Sequence, residues 1–136
     1  MKTDILNVAK LVASTVWSDG EYDEAEKSAV EEVAEALEFD IANFSKAVDF
    51  EVEAIKNYSE EEIGTYIIDA AEGVDEEDAE IVLEAALQVI ISDNVVAYSE
   101  VSTMLSIAEA LSIEEETAIM LLIDLVKTEP ELELEF

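Results

Sequence analysis

The sequence has 136 residues, of which 36 are Asp or Glu against six Lys and no Arg, giving a formal net charge of −30 and a pI of about 4.1. That balance excludes a protein that tracks a phosphate backbone or docks on anionic lipid, since both need cations. Apolar residues make up 51% of the chain, and its 43 Leu, Ile, Val and Phe residues lie above the roughly 20% of these types below which a charged chain fails to collapse. A folded domain with an acidic skin is expected.

Apolar residues recur at three- and four-residue intervals almost throughout, and only three Gly and one Pro interrupt them. This pattern predicts an all-α domain of seven helices. The first runs from about Asp4 to Trp17, with Ile5, Val8, Val12 and Val16 on one stripe and Leu6, Ala9, Ala13 and Trp17 on the next. So wide an apolar face predicts a central position. The second starts after Asp23, with Glu26 placed to close a capping box, and continues to about Leu37. Asp40 caps the third, which carries Phe44, Val48, Val52 and Ile55 to about Asn57. A fourth spans Ser59 to Gly73, opened by Ser59 with Glu62 and closed by the glycine.

The fifth helix begins after Asp75 and is apolar nearly all round, which predicts burial against several neighbours and leaves Gln88, like Ser14 on the first helix, in need of a partner. The sixth runs from about Tyr98 to Leu111, and the seventh from about Glu114 to Lys127, ended by Pro130. Beyond it, 130–136 alternates acidic and apolar residues. Alternation puts Leu132, Leu134 and Phe136 on one side of an extended segment, which either frays or lies on the domain or a neighbour. The most apolar stretch, Ile81 to Ile91, is interrupted by Glu84 and Gln88 and falls short of the ~20 residues of a membrane span. The start has no long apolar run with a small-residue cleavage site, so a cytoplasmic location is the expectation.

The chain carries an internal duplication. Shifting it by 74 residues places Ser18-Asp19-Gly20 on Ser92-Asp93-Asn94, Glu26 on Glu100, Ser28 on Ser102, and Ala34-Glu35-Ala36-Leu37 on Ala108-Glu109-Ala110-Leu111. Eight of the twenty positions from Ser18 to Leu37 are identical without a gap. A single domain of residues 1–129 is therefore read as two pseudo-symmetric three-helix units, about 1–57 and 75–129, joined by the helix 59–73. A pseudo-twofold packing puts the first and fifth helices side by side.

Chemistry is narrowed by two absences. Without Cys there is no disulfide, thiolate nucleophile, zinc ribbon or iron–sulfur site, and without His there is no Ser–His or Cys–His triad, no Glu-x-x-His di-iron site and no His-based zinc centre. No phosphate-cradling Gly-rich loop exists either. A carboxylate pair could still act as general acid and base, but with no His, Cys or Arg to assist it a non-enzymatic role is expected.

The stretch V-W-S-D-G-E-Y-D-E-A-E-K, Val16 to Lys27, resembles the TerB-like tellurite-resistance family, and the second unit echoes it as I-I-S-D-N-V-V-A-Y-S-E-V followed by I-A-E-A-L-S-I-E-E-E. The resemblance covers about Ile5 to Lys127; Asn94 replaces the second glycine, and the surface is more acidic than the family's. It implies a compact seven-helix domain of bacterial stress responses, with partners among membrane-associated stress proteins and acidic loop residues proposed to hold a metal. Those positions are Asp19, Glu26, Asp93 and Glu100. Oxygen-only ligands suit Ca²⁺, Mg²⁺ or Mn²⁺, and four carboxylates brought together need a cation or protons to offset their repulsion. A structural account competes: Asp19-Gly20 is a common turn pair and Glu26 a capping-box glutamate.

The acidic clusters Glu31-Glu32-Glu35, Glu60-Glu61-Glu62, Glu76-Glu77-Asp78 and Glu114-Glu115-Glu116 have a simple reading as solvated faces, the last three at helix starts where the macrodipole favours them. The alternative is an acidic interaction module, including a nucleic-acid mimic that occupies the basic groove of a protein partner. Adaptation to a saline habitat is a third reading, and self-repulsion of this charge predicts that salt stabilises the fold. Trp17, Tyr22, Tyr58, Tyr66 and Tyr98 are expected to pack in the core rather than line an aromatic ligand pocket.

Overall fold

A computed structural model describes residues 3–20, 22–93, 95–128 and 133–135. Seven helices form, α1 (Ile5–Asp19), α2 (Glu24–Ala36), α3 (Ile41–Ile55), α4 (Glu60–Glu72), α5 (Ala79–Ile90), α6 (Tyr98–Ala110) and α7 (Glu115–Thr128). The helix starts follow from local chemistry. Asp4, Asp23, Asp40 and Ser59 each sit in extended backbone with a side-chain oxygen accepting from an amide of the first turn. At α2 and α4 the reciprocal glutamate bond completes a capping box, so two otherwise orphaned donors are satisfied at each.

α1 is the centre of the packing. Val8, Ala9, Leu11, Val12, Ala13 and Val16 are all buried, and the helix touches α3, α4, α5 and α6. Its polar residues solve their own problem: Ser14 Oγ donates to the Leu11 carbonyl at 2.6 Å and Thr15 Oγ1 to that of Val12 at 2.7 Å. α5 buries Val82, Leu83, Ala86, Leu87, Val89 and Ile90, but Ile81, Glu84 and Gln88 form an outward stripe. Gln88 is therefore exposed and needs no buried partner, contrary to the reading from periodicity.

The 74-residue repeat reappears in local geometry. The starts of α1, α2 and α3 at Ile5, Glu24 and Ile41 precede those of α5, α6 and α7 at Ala79, Tyr98 and Glu115 by 74 positions each. α2 and α6 end alike: Phe39 N donates to Ala34 O at 2.9 Å and Ile113 N to Ala108 O at 2.8 Å, with Glu38 and Ser112 both left-handed at φ 61°. These are Schellman closures. Between helices the match is partial: α1 packs on α6 and α5 on α2, but α1 packs extensively on α3 whereas α5 touches α7 only slightly.

Three features depart from the sequence reading. α5 is preceded by a 3-10 turn, Glu76–Asp78, whose Asp78 is buried rather than solvated. Gly73 ends α4 with a right-handed φ of −86°, so it is no left-handed cap; a Cβ there would stand 2.2 Å from Asn7 Nδ2, and close approach of α1 accounts for the glycine. Finally, two three-residue strands, β1 (Val95–Ala97) and β2 (Glu133–Glu135), pair in parallel with Val96 opposite Leu134. The tail's extended alternative thus holds for 133–135, docked on the link between α5 and α6; Leu132 and Phe136 lie outside the described residues. Among the described residues no helix is long and apolar enough to cross a membrane.

Gly20 closes α1 at φ 81°, a left-handed conformation that favours glycine, and its amide donates to Val16 O. Gly64, by contrast, stands inside α4, where glycine costs roughly 0.8–1 kcal/mol against alanine. Nothing lies within 4 Å of where its Cβ would be.

Candidate functional site

The two glutamates of the candidate set occupy equivalent places, the third residue of α2 and of α6, and each is only 3% exposed. For Glu26 the local reason is the capping box: its amide donates to Asp23 Oδ1 at 2.9 Å, and its Oε1 accepts from the Asp23 amide at 3.3 Å. Glu100 lacks that arrangement, because Ala97 stands where Asp23 stands in the first unit. Burial of a carboxylate is costly unless hydrogen-bonded or paired, and both glutamates have interaction partners.

Asp19 is the last residue of α1 and Asp93 the last of a 3-10 turn, Ile91–Asp93, that extends α5; their side chains lie outside the described residues. Their backbones are placed across the repeat. Ser99 Oγ donates to the Ser18 carbonyl at 3.3 Å, which sets the first turn of α6, with Glu100, against the end of α1. The turn ending in Asp93 packs on α2, the helix that carries Glu26. Each loop aspartate thus neighbours the helix of the other unit. Among the described residues no group of three or more carboxylates is arranged to hold a metal ion.

Two further acids are buried: Glu51, which the sequence reading did not single out, and Asp78, which it placed in a solvated cluster. Glu51 interrupts the stripe of Val48, Val52 and Ile55 on α3, a position that marks it as inward-facing, and it accepts from the Tyr66 hydroxyl at 2.9 Å. Asp78 accepts at Oδ2 from both the Thr3 amide, at 3.0 Å, and the Thr3 hydroxyl, at 2.7 Å. The remaining clusters are solvated as expected: Glu31, Glu32, Glu35, Glu60–Glu62, Glu76, Glu77 and Glu114–Glu116 are all exposed.

The aromatics mostly meet the core expectation. Trp17, Tyr22, Tyr58 and Tyr66 are half-buried against it; Trp17 Nε1 donates to Tyr58 O at 3.2 Å, and the Tyr58 and Tyr66 rings meet edge-on at 6.0 Å. Tyr98 does not, being 68% exposed at the start of α6. Burial pushes the Tyr66 hydroxyl well above its ordinary range, reinforced by the hydrogen bond to Glu51 and its charge; Tyr22 is raised by burial and then by the neighbouring Asp49 carboxylate.

An open groove of about 450 Å³ runs between α4, α6 and the end of α1. Small residues, Gly64, Ser102 and Ser106, line it, and so do the half-buried Trp17 and the buried Ile63 and Ile67. Tyr98, Ser102 and Ser106 also line a second groove of about 490 Å³ between α6 and the start of α7. Every charged residue lining either groove is a glutamate: Glu60 in the first, Glu109, Glu114 and Glu115 in the second. Comparison with protein-family models, curated proteins and solved structures returned no match.

Proposed function

We propose that this chain is a non-enzymatic binding module whose working surface is its acidic skin, and that its partner is a basic protein surface. One observation carries the reading. Against 36 carboxylates the chain has six lysines, and the ion pair formed between described residues is Lys56 with Glu53, so most of the acidic surface is not neutralised from within. An unneutralised field of one sign steers oppositely charged partners and repels like ones. Nucleic acid is disfavoured on the same ground, and mimicry of it toward a basic groove is the form this reading takes at its most specific.

The stress-response role of TerB-like domains belongs to the same proposal. Its support is the resemblance of Val16–Lys27 and its echo in the second unit, together with the seven-helix fold. A divalent cation is the second reading, and the observation favouring it is that the end of α1, with Asp19, lies against α6, which carries Glu100, while the turn ending in Asp93 packs on α2, which carries Glu26. Hard cations accept such an oxygen set.

Titration with a lysine-only peptide at several salt concentrations tests the main reading: binding that weakens steeply with salt is expected, and no binding at about 0.15 M salt overturns it. For the cation reading, Mg²⁺, Ca²⁺ or Mn²⁺ should raise the melting temperature more than matched ionic strength does. An equal response from wild type and from the Asp19→Asn, Asp93→Asn double variant removes that reading.

A further inference from the structure

We infer that the groove between α4, α6 and the end of α1 receives a cationic amphipathic helix from the partner, an inference that rests on the acidic-surface reading and names where it acts. The shape argues for a helix. Gly64 on α4 and Ser102 and Ser106 on α6 are small residues lining the space between two packed helices, and a helix ridge seats in such a groove. The apolar part of the lining argues for an apolar face on the occupant, since Trp17, Ile63, Ile67 and Tyr98 all border the space.

The charge argues for its sign. Glu60 borders this groove, and Glu109, Glu114 and Glu115 border the second groove, which shares Tyr98, Ser102 and Ser106 with it; among the described residues no lysine lines either. An occupant with lysines or arginines flanking its apolar face meets a carboxylate on both sides, their stems lying along the apolar lining. A second copy of the chain is the wrong occupant, since it carries the same −30 charge.

Gly64 supplies an independent observation. A glycine inside a helix lowers its stability, so a reason for it is sought in close approach. Among the described residues none is found, because the space is empty to 4 Å where a Cβ would point. The approach that glycine permits is then that of an outside backbone entering the groove that Gly64 lines.

Trp17 in the lining is the only tryptophan and so reports occupancy directly. The test uses a Leu/Lys amphipathic peptide of about five helical turns and a lysine-only peptide of equal charge, both at about 0.15 M salt. The Leu/Lys peptide should bind one per chain, gain helicity and shift Trp17 emission. Gly64→Phe, which puts a ring into the groove, should weaken it at least tenfold and leave the lysine-only peptide unaffected. Ser106→Phe is the second blocking variant, and circular dichroism and melting identify which variants fold; Gly64→Ala, adding one carbon in open space, keeps the fold and should weaken binding less. If the lysine-only peptide binds but the Leu/Lys peptide does not, or if folded blocking variants bind it as wild type does, the groove inference falls and the acidic-surface reading stands. Should neither peptide bind wild type, both fall together.

Discussion

Glu38 and Ser112, 74 residues apart, both hold φ at 61° and close α2 and α6 with the same pair of backbone bonds. In that region an L side chain crowds the following carbonyl at a cost of roughly 1–2 kcal/mol, which glycine avoids. Glycine also loses more freedom on folding, so the net gain is smaller. Glu38→Gly and Ser112→Gly are each expected to raise the unfolding free energy by ~0.5–1 kcal/mol. The sites are remote, so the double variant should show the sum to within about 0.5 kcal/mol in urea denaturation. A loss of stability in both single variants contradicts the account.

Asp78 ties the start of the chain to the turn before α5, accepting from the amide and the hydroxyl of Thr3, while Thr3 Oγ1 itself accepts from the Asp75 amide at 3.0 Å. Both partners are buried, at 7% and 5% exposure. Removing the acceptor strands two buried donors, so Asp78→Ala is expected to cost ~2–3 kcal/mol. Asp75→Ala removes only the bond its carboxylate accepts from the exposed Glu77 amide and should cost about 1 kcal/mol or less. Equal losses in the two variants would sink this ranking.

Those two regions also mark the boundary of what the sequence makes legible. Helix starts at Asp4, Asp23, Asp40 and Ser59 are written locally, within three residues of each cap. The 3-10 turn before α5 is not, because Asp78 is engaged by a residue 75 positions away. β1 is equally opaque: three residues carry little signal, and the partner strand follows α7. Glu26 is legible as a capping glutamate but its burial is not, since that depends on how α2 packs on α3 and α5. Gln88 shows the opposite error. The density of apolar residues on α5 hides the stripe of Ile81, Glu84 and Gln88, which only the missing neighbour on that side exposes.

The raised hydroxyls of Tyr22 and Tyr66 make stability fall in base. A phenol near pKa 10 in the unfolded chain and higher in the fold binds its proton more tightly when folded. Below the unfolded pKa both states hold the proton and the contribution is complete; above it the unfolded chain alone releases the proton, and stability drops until the folded value is passed. Phenolate absorbance should show Tyr66 resisting ionisation past the ordinary range. Glu51→Gln should lower its midpoint without restoring the ordinary value, because burial comes first among the causes. An unchanged midpoint would remove Glu51 from the account.

The last prediction concerns the tail. β2 pairs along β1 with Val95 opposite Glu133 and Ala97 opposite Glu135, so residues from beyond α7 brace the link between α5 and α6. A two-stranded pair is marginal alone, and packing must hold it. The consequence is local: deleting 129–136 should leave the helical core and its melting largely intact, while amide exchange across 95–97 speeds up by about tenfold or more as those groups open to water. It also leaves β1 as an unpaired edge, a template for another strand, so the truncated chain should be watched for self-association by sedimentation. Unaltered exchange at 95–97 would show that the strand pair does not brace this link.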